Sequence, residues 1–405
     1  MPEDRATDPS QVTDLAIVGA GVAACSLVAA LRQQGWDGSI VLLESGRGVG
    51  GRAATRRSRH NPGLAINHGA PLFNLTTEAA SSPLLAALVK GGWIEPFSGA
   101  IHSLTGSGRI GPPIDDGFSG GQLWQAGGGM ERLAAGLLAL AAAQPGNTPM
   151  RSNSRMRSNT LVRQNTLVRR LTPSRPGNTG TRAWSLEDGN GAELLQCHWL
   201  VLSGSLLAHP RGPQTFGWDG VPLQQAAAQL GDRRLDQAAA ALAAMDWTAS
   251  SNLLLNLPTG LTATWQQQPW RLLQFTPEAQ QRWGLRRVSL QPQPDHRWAV
   301  VAESSTDVAD RHRQVYGSRS SAAQLLAAAP DASAEAAVID ALDQALQQAL
   351  DLPTRGADRQ LMRWGAAFPR PPGLPTELQL CPDSRIGFCG DVVAGEGLGR
   401  VEGAI

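Results

Sequence analysis

One stretch near the start of the chain, residues 14–57, places the strongest limits on the fold. It begins with an apolar run over residues 15–18, which is too short for a helix and is typical of a strand buried on both faces. Helical spacing follows and stops at Gly35, and residues 40–43 form a second apolar run. The pattern therefore predicts a strand, a helix and a second strand.

The turn between the first strand and the helix has the spacing of a dinucleotide-binding site. Gly19, Gly21 and Ala24 follow G-x-G-x-x-A, in which the first glycine permits a tight turn, the second leaves room for a phosphate, and the alanine lets the helix lie close to the strand. Glu44 ends the second strand, where a carboxylate can hold a ribose 2′-hydroxyl and repel a 2′-phosphate. We therefore expect a dinucleotide with a free adenosine ribose rather than NADP. An ordinary tight turn is the alternative.

The residues after Glu44 bear on which kind of dinucleotide the chain binds. A small loop at residues 48–52, GVGGR, can pass close to a dinucleotide, and Arg52 can place a bidentate cation on a pyrophosphate. A solvated loop with a surface arginine is the alternative. Together with residues 66–74, INHGAPLFN, this segment resembles the FAD-binding opening of renalase-like flavoproteins, a group within the amine oxidase superfamily. The chain departs from the family's usual second segment at Asn67, Pro71, Leu72 and Asn74.

The resemblance implies an α/β fold: a Rossmann-type FAD-binding domain with glutathione-reductase-like, p-hydroxybenzoate-hydroxylase-like topology, and an interleaved mixed-sheet α+β substrate domain. We expect the FAD-binding domain at residues 12–75, 120–212 and 375–405, the substrate domain at 76–119 and 213–374, and a flexible tail at 1–11. Within these domains, local patterns predict a hairpin at 184–191, helices at 82–89, 222–243 and 334–350, and strands near 199–203, 253–257, 286–290 and 298–302.

A second glycine-bearing motif lies near the end of the chain. An apolar run ends at Gly390 and Asp391, and a glycine-rich segment follows. In the family, this aspartate binds ribityl or pyrophosphate-linked oxygens, and a helix N-terminus then points at the flavin N1/C2 edge, where it stabilises negative charge on the reduced ring. The family's Arg-Val-Glu-Gly-Ala matches residues 400–404. Because the sequence stops at Ile405, within the first turn of that helix, we expect reduced FAD affinity or stability, or a sequence that has been cut.

The arginine-rich segment at residues 151–170 carries six arginines and no acidic residue. An RNA-binding patch would need interleaved aromatic residues, which are missing, so a solvated loop and a strand are expected. In the family, a valine at the end of this strand binds adenine through its backbone; Val168 is the expected counterpart and Val162 the alternate.

The predicted FAD-binding residues are Gly19, Gly21, Ala23, Ala24, Glu44, Ser45, Gly51, Arg52, His68, Gly69, Ala70, Val168, Gly390, Asp391, Arg400, Val401 and Glu402.

The amino-acid composition limits the candidate reactions, the candidate partners and the expected location of the protein. The chain has one lysine, Lys90, which fits a helix C-terminus, and one tyrosine, Tyr316. Amine oxidases of the superfamily typically use a lysine near flavin N5 and a cage of two rings, often tyrosines. A two-tyrosine cage cannot be built here, although twelve tryptophans could supply rings. A net charge of +1 gives no general attraction to nucleic acid or membranes. Without a signal-peptide pattern, a cytoplasmic location is expected.

The four cysteines, at positions 25, 197, 381 and 389, have neither metal-ligand nor redox-pair spacing, so buried thiols, no metal site and no covalent flavin link are expected.

The leading hypothesis is a renalase-like FAD-dependent oxidoreductase, in which a small reduced substrate, for example a dihydronicotinamide isomer, gives a hydride to flavin N5 and O2 reoxidises the flavin. His68, Asn67 and Trp364 are the candidate catalytic residues; a structural histidine and a packed core tryptophan are the alternatives. Amine oxidation, desaturation of a lipid-like substrate, or flavin binding without turnover remain alternative functions.

Overall fold

The computed structural model describes residues 12–58, 63–75, 82–115, 121–143, 159–173, 184–318, 320, 329, 331–395 and 400–405. The chain divides into two compact units, each assembled from separate stretches. Unit 1 comprises Met1–Gly51, Ala134–Asp246 and Pro369–Ile405, and unit 2 comprises Arg52–Leu133 and Trp247–Phe368. The predicted mixed α/β class is confirmed. The bounds of the units differ from those expected for the FAD-binding and substrate domains, and those domain assignments stay a prediction.

Unit 1 is built on an eight-stranded sheet. Its strands are β1 (Thr13–Val18), β2 (Ile40–Leu43), β10 (Thr160–Arg163), β11 (Arg170–Pro173), β12 (Trp184–Glu187), β13 (Glu193–Leu202), β19 (Leu380–Cys381) and β20 (Ile386–Phe388). The strand order is β10-β2-β1-β13-β12-β11, and β20 pairs with both β13 and β19. Strands β10, β2, β1, β13 and β20 are mutually parallel, so their carboxyl ends lie along one edge of the sheet.

The helices of unit 1 are α1 (Val22–Gln33), α4 (Arg211–Phe216), α5 (Pro222–Leu230) and α6 (Arg233–Ala244); α3 (Glu131–Ala142) begins in unit 2 and continues in unit 1. The predicted helical segment at 222–243 is two helices. Gly231 ends α5 with a φ of +65°, and the Asp232 side chain caps α6 by accepting from the backbone N–H groups of Arg234 and Leu235. A left-handed glycine followed by an N-cap residue interrupts the helix although the apolar pattern continues.

Unit 2 contains strands β3 (Thr55–Arg57), β4 (Ala65–Asn67), β5 (Phe73–Leu75), β6 (Glu95–Pro96), β7 (Ile101–Leu104), β8 (Ile110–Gly111), β9 (Gln122–Gln125), β14 (Trp247–Asn256), β15 (Leu272–Phe275), β16 (Leu285–Pro292), β17 (Trp298–Ser304) and β18 (Asp358–Pro369). Its other helices are α2 (Pro83–Lys90), α7 (Thr259–Gln266), α8 (Pro277–Trp283), α9 (Thr306–Arg311) and α10 (Ala332–Leu350). Its main sheet has the order β18-β14-β17-β16-β15-β7-β8.

The two faces of the unit 2 sheet differ in character. On one face Leu253, Val288 and Val300 belong to an apolar core that also includes Leu342 and Leu346 of α10. The opposite face carries buried polar side chains from β14 to β17, including Asn252, Gln274, Arg287, Gln291 and Glu303. Leu254, Ala299 and Val301 of the same face pack against Leu64 and Ile66, so this face combines a smaller apolar cluster with buried polar side chains. No helix in the described part of the chain is long and apolar enough to cross a membrane.

Candidate dinucleotide and ligand-binding sites

The glycine turn of unit 1 forms where β1 ends. Gly19 has a φ of +100°, and its N–H donates to Leu43 O at 2.8 Å. A Cβ at this position would lie 2.7 Å from the backbone oxygen of Ser203, which follows β13. Both the backbone conformation and the close approach of the neighbouring strand end therefore require glycine here.

The space beside Gly21 fits a phosphate. Gly21 is the N-cap residue of α1, and no side chain caps this helix end. A Cβ on Gly21 would meet only Gly51 Cα, at 3.9 Å, so the protein leaves that position open. Gly51 itself, with a φ of +57°, holds its loop against Gly21, and Gly50 N donates to Ala20 O at 2.8 Å. An uncapped helix N-terminus flanked by glycines is suited to a pyrophosphate, because its N–H groups and dipole favour negative charge.

Glu44 lies beside this turn, at the carboxyl end of β2. Its Oε2 accepts from Ala20 N at 2.8 Å, and its Oε1 accepts from Gly46 N at 2.6 Å. Ser45 Oγ lies 3.5 Å from Oε1. The carboxylate is thus fixed next to the glycine turn by two backbone donors, which is the location required for a group that binds a ribose.

The segment between β10 and β11 lies against Glu44. Thr166 N donates to the backbone oxygen of Glu44, and Asn165 N donates to that of Gly46, both at 2.9 Å. Val168 follows in this segment and is 2% exposed, whereas Val162 lies inside β10 opposite Leu42. The position of Val168 after the strand suits the predicted adenine contact better than that of Val162.

The motif from the other end of the chain reaches the same edge of the sheet. Cys389 N, directly after β20, donates to Leu202 O at 3.2 Å. Gly390 has a φ of +111°, and a Cβ on it would lie 3.8 Å from Cβ of Ala23 in α1. Asp391 is 7% exposed. The structure therefore brings Gly390 and Asp391 to the glycine turn, although almost the whole chain separates them in sequence.

The other residues of unit 1 that the sequence predicts to bind FAD have fewer contacts that bear on cofactor binding. Ala24 is fully buried in α1, as its place in the G-x-G-x-x-A turn requires. Val401 O accepts from Ala404 N at 3.0 Å, and Glu402–Ala404 form a short 3-10 helix. Residues 396–399, which precede Arg400 in the glycine-rich segment, lie outside the described residues. The FAD-binding roles of Arg400, Val401 and Glu402 stay a prediction.

In unit 2, His68 has a rigid support and a free imidazole nitrogen. Its ring stacks on Trp364 with centroids 5.3 Å apart and planes 15° apart. Its backbone oxygen accepts from Trp364 Nε1 at 3.0 Å and from Asn252 Nδ2 at 2.6 Å. The side chain is buried, and Nδ1 has no hydrogen-bond partner. Burial, with a smaller contribution from the Arg56 charge, lowers the pKa of His68 to about 3, so the imidazole is neutral near pH 7.

Two glutamine side chains hold the strand that leads into His68. Gln291 Oε1 accepts from Asn67 N at 2.7 Å, while its Nε2 donates to Asn67 O at 2.9 Å. Gln293 makes the same pair of bonds with Ala65, at 2.7 and 3.0 Å. These side chains, which we call the glutamine ladder, replace the backbone of a neighbouring strand along one edge of β4. Neither glutamine was predicted from the sequence, where their only signal is the spacing Gln-x-Gln.

Asn67, which the sequence predicts as a catalytic residue, is engaged in structural bonds. Its Oδ1 accepts from Thr55 Oγ1 at 2.8 Å and from Met130 N at 2.9 Å. These bonds tie β4 to β3 and to the residue before α3. They give Asn67 a structural role, and its catalytic role remains a prediction without support from these contacts.

Arg52, Gly69 and Ala70 lie together in unit 2. Arg52 O accepts from Ala70 N at 2.9 Å, and Arg52 Nη1 donates to Ala367 O at 2.9 Å. A Cβ on Gly69 would lie only 1.9 Å from Arg52 O, so a side chain there would displace the backbone. The structure thus groups Arg52, Gly69 and Ala70 by direct backbone contacts within one unit.

The cysteines behave as buried thiols. All four are free, and three of them are fully buried. Burial raises the pKa of Cys25 and Cys197 to about 12, and that of Cys381 and Cys389 to about 11. Among the residues that the structure describes, no three His, Cys, Asp or Glu side chains are grouped to hold a metal ion.

Comparisons with known proteins agree with this geometry. Residues 17–88 match the NAD(P)-binding Rossmann-like domain family, which covers the glycine turn, Glu44 and the segment through His68. No curated protein sequence matches the chain. The class defined by fold and site is therefore a mixed α/β protein with a Rossmann-like nucleotide-binding domain.

Solved structures share this fold over nearly the full length. One, assigned provisionally as a protoporphyrinogen oxidase from Exiguobacterium sp. 255-15, is 12% identical, covers 97% of each chain and has a TM-score of 0.57. Putrescine oxidase with a single substitution made to redesign cofactor binding is 14% identical with a TM-score of 0.54, and the wild-type enzyme bound to putrescine is 13% identical with a TM-score of 0.52. Each putrescine oxidase match covers 97% of this chain and 96% of the other. At these identities the likeness shows a common fold.

Proposed function

We propose that the protein is an FAD-dependent oxidoreductase with the glutathione-reductase-like topology of the renalase-like flavoproteins. The observation that carries this proposal is the meeting of Gly19, Gly21, Glu44 and Asp391 at one edge of the unit 1 sheet. A nicotinamide-binding domain needs the first three groups, but the return of a Gly-Asp pair from the far end of the chain is what the resemblance to FAD proteins implies. The fold shared with oxidases supports it.

In this proposal each group has a distinct part in binding. The α1 N-terminus and the open space at Gly21 would hold the pyrophosphate, and Glu44 would accept from the adenosine ribose. The backbone of Val168 would bind the adenine, and Asp391 the ribityl or pyrophosphate-linked oxygens. FAD held by these residues would supply a two-electron acceptor for a hydride from the substrate, with O2 as the final acceptor and hydrogen peroxide as its product.

The side chain of His68 would help to orient the substrate without carrying a charge itself. His68 is neutral and fixed by Trp364, so it would act as a hydrogen-bonding group rather than as a cation. Hydride transfer depends mainly on positioning, so a strong acid or base near the substrate is not required. We propose a small reduced substrate, with a dihydronicotinamide isomer as the first candidate.

Amine oxidation is the second candidate, and the fold shared with putrescine oxidase favours it. Two features of this chain oppose it. Lys90 lies in the last turn of α2, where it complements the helix dipole, and the ring of Tyr316 is covered by the Arg363 guanidinium at 5.6 Å. Neither residue shows the role that amine oxidases of the superfamily give to lysine and tyrosine.

The first test concerns the cofactor. Gly21→Ala adds a methyl group that the protein can accommodate, because the nearest atom is 3.9 Å away, but that would occupy the place proposed for the phosphate. We expect FAD affinity to fall at least about tenfold, roughly 1.4 kcal/mol, with little change in the melting temperature of the cofactor-free protein. Gly260→Ala, at an exposed helical glycine with open space around it, is the matched control. Unchanged FAD affinity in Gly21→Ala would exclude this binding mode.

The second test concerns the reaction. Purified holoprotein is mixed without oxygen with dihydronicotinamide isomers or with amines, and the flavin absorbance is followed. Bleaching by a dihydronicotinamide supports the leading proposal, and bleaching by amines alone supports the second candidate. No bleaching by either would point to flavin binding without turnover.

A further inference from the structure

A row of polar side chains crosses the unit 2 sheet beside His68. Cross-strand pairing places Asn252 opposite Glu303, Glu303 opposite Arg287, and Arg287 opposite Gln274. All four are 8% exposed or less. The row begins at the candidate site, because Asn252 donates to the backbone oxygen of His68 at 2.6 Å. It is therefore continuous with the support of His68 and Trp364.

A β-bulge directs two guanidinium groups at the one carboxylate of this row. The pairing of β16 with β17 shifts between Leu285 and Arg287, so consecutive arginines reach the same partner. Arg286 Nη1 donates to Glu303 Oε1 at 2.8 Å, and Arg287 Nη2 donates to Glu303 Oε2 at 2.7 Å. Burial opposes ionisation of Glu303, but the two arginines outweigh it and lower the pKa of its carboxyl group. Two guanidinium charges face this single carboxylate, so Glu303 is a poor partner for a substrate ammonium.

The far end of the row presents a donor that the protein does not satisfy. Gln274 Oε1 accepts from Ile114 N at 3.0 Å, which fixes the orientation of the amide. Gln274 Nε2 then has no hydrogen-bond partner although the residue is 2% exposed. A buried unsatisfied amide is costly and therefore calls for an acceptor. Its cross-strand neighbour is Arg287, which can only donate.

We propose that this row binds a carboxylate on the substrate, through Gln274 Nε2 and the Arg287 guanidinium. An amide N–H beside a guanidinium matches an anionic oxygen acceptor, whereas an ammonium ion would meet donors and cationic charge. The inference deepens the proposed function, on which it rests for the reaction at the flavin. The substrate class narrows to small reduced molecules with an acidic group, so a dihydronicotinamide would fit only if it carries such a group in addition to its neutral carboxamide, and amines are disfavoured.

The test compares three probes that share a ring and differ in one group: benzoate, benzamide and benzylamine. Binding to the holoprotein is measured by titration calorimetry, and flavin content is measured separately on the same preparation. We expect benzoate to bind at least about tenfold more tightly than benzylamine, with benzamide between them. Equal or tighter binding of benzylamine would overturn the proposal.

Gln274→Glu sharpens the test. It keeps the oxygen that accepts from Ile114 N and replaces the unsatisfied N–H2 group with a second carboxylate oxygen. We expect benzoate affinity to fall at least about tenfold and benzylamine affinity to rise. The control is Gln348→Glu, which makes the same change at an exposed position of α10 and should leave binding unchanged.

Unchanged benzoate affinity in a folded Gln274→Glu protein would refute the site, and circular dichroism establishes folding. If this variant does not fold, Gln274→Met, which removes the donor without adding charge, replaces it, with the same loss of benzoate affinity expected. Benzoate binding by a protein that does not bind added FAD would reject the proposed function and keep the carboxylate site.

Discussion

The substitution Gln291→Met tests whether the glutamine ladder holds the strand that leads into His68. Methionine has nearly the same length and volume, so the change removes hydrogen bonds without creating a large cavity. Three bonds are lost: two to the backbone of Asn67, and one from Nε2 to Ser289 Oγ at 2.9 Å. At a net value of about 1 kcal/mol each, we expect the free energy of unfolding to fall by about 3 kcal/mol.

The assay has a global and a local readout. In urea, a loss of about 3 kcal/mol moves the midpoint of the transition down by about 1.5 M if the slope is about 2 kcal/mol per molar. Hydrogen exchange is the more specific measurement, because the Asn67 amide donates directly to Gln291. Its protection factor should fall by about two orders of magnitude if unit 2 opens locally at β4.

A matched control separates the ladder from general effects of methionine. Gln348→Met lies on the exposed surface of α10, where glutamine and methionine have similar helix propensity, so its effect should stay within about 0.5 kcal/mol. A loss of less than about 1 kcal/mol in Gln291→Met, or an Asn67 amide that exchanges at the wild-type rate, would refute the reasoning.

Three further expectations concern single side chains. Gly19→Ala should lower stability by about 2–4 kcal/mol, whereas Gly35→Ala, which has a similar positive φ but open space around it, should cost only about 1–2 kcal/mol; urea unfolding compares the two. Glu44→Gln should weaken FAD binding about tenfold in a fluorescence titration of the cofactor-free protein, because an N–H2 group would face backbone donors; unchanged affinity would remove Glu44 from the site. The pKa of His68 is about 3 in the folded protein and about 6.5 in the unfolded chain, so between these pH values the unfolded state binds more protons. The free energy of unfolding should therefore fall as the pH drops from 6.5 towards 3, by up to about 1.4 kcal/mol per pH unit. His68→Gln should reduce that slope in urea titrations at pH 4.5–6.

The nucleotide-binding half of the protein could be predicted well because its signals are local. An apolar run, a glycine turn and a helix lie within 30 residues of one another, and each has a pattern of its own. The structure places β1, α1 and β2 close to the expected positions, with Glu44 directly after β2. The meeting of Gly19 and Gly390 was accessible only through the resemblance to FAD proteins, because no spacing rule connects residues so far apart.

Unit 2 could be predicted only in part, because its interactions depend on pairing between distant strands. The glutamine ladder needs the position of β4 beside β16, which no local pattern specifies. The consecutive arginines at 286 and 287 should point to opposite faces of a regular strand, and only the bulge turns both towards Glu303. Asn67 was chosen for its place beside His68, but its side chain is used by Thr55 and Met130.

The order of the strands in unit 1 has a consequence for biosynthesis. Strand β1 is made well before β20, the last strand of the same sheet in sequence order, which pairs with β13. At a translation rate of about 5–20 residues per second, β1 waits roughly 20–75 s for this final strand. Synthesis of unit 2 is complete once Phe368 has been added, before β20 leaves the ribosome. The sheet of unit 1 is therefore completed only after all of unit 2 has been synthesised, and a nascent chain stalled before Ile386 would expose the edge of β13 to chaperones.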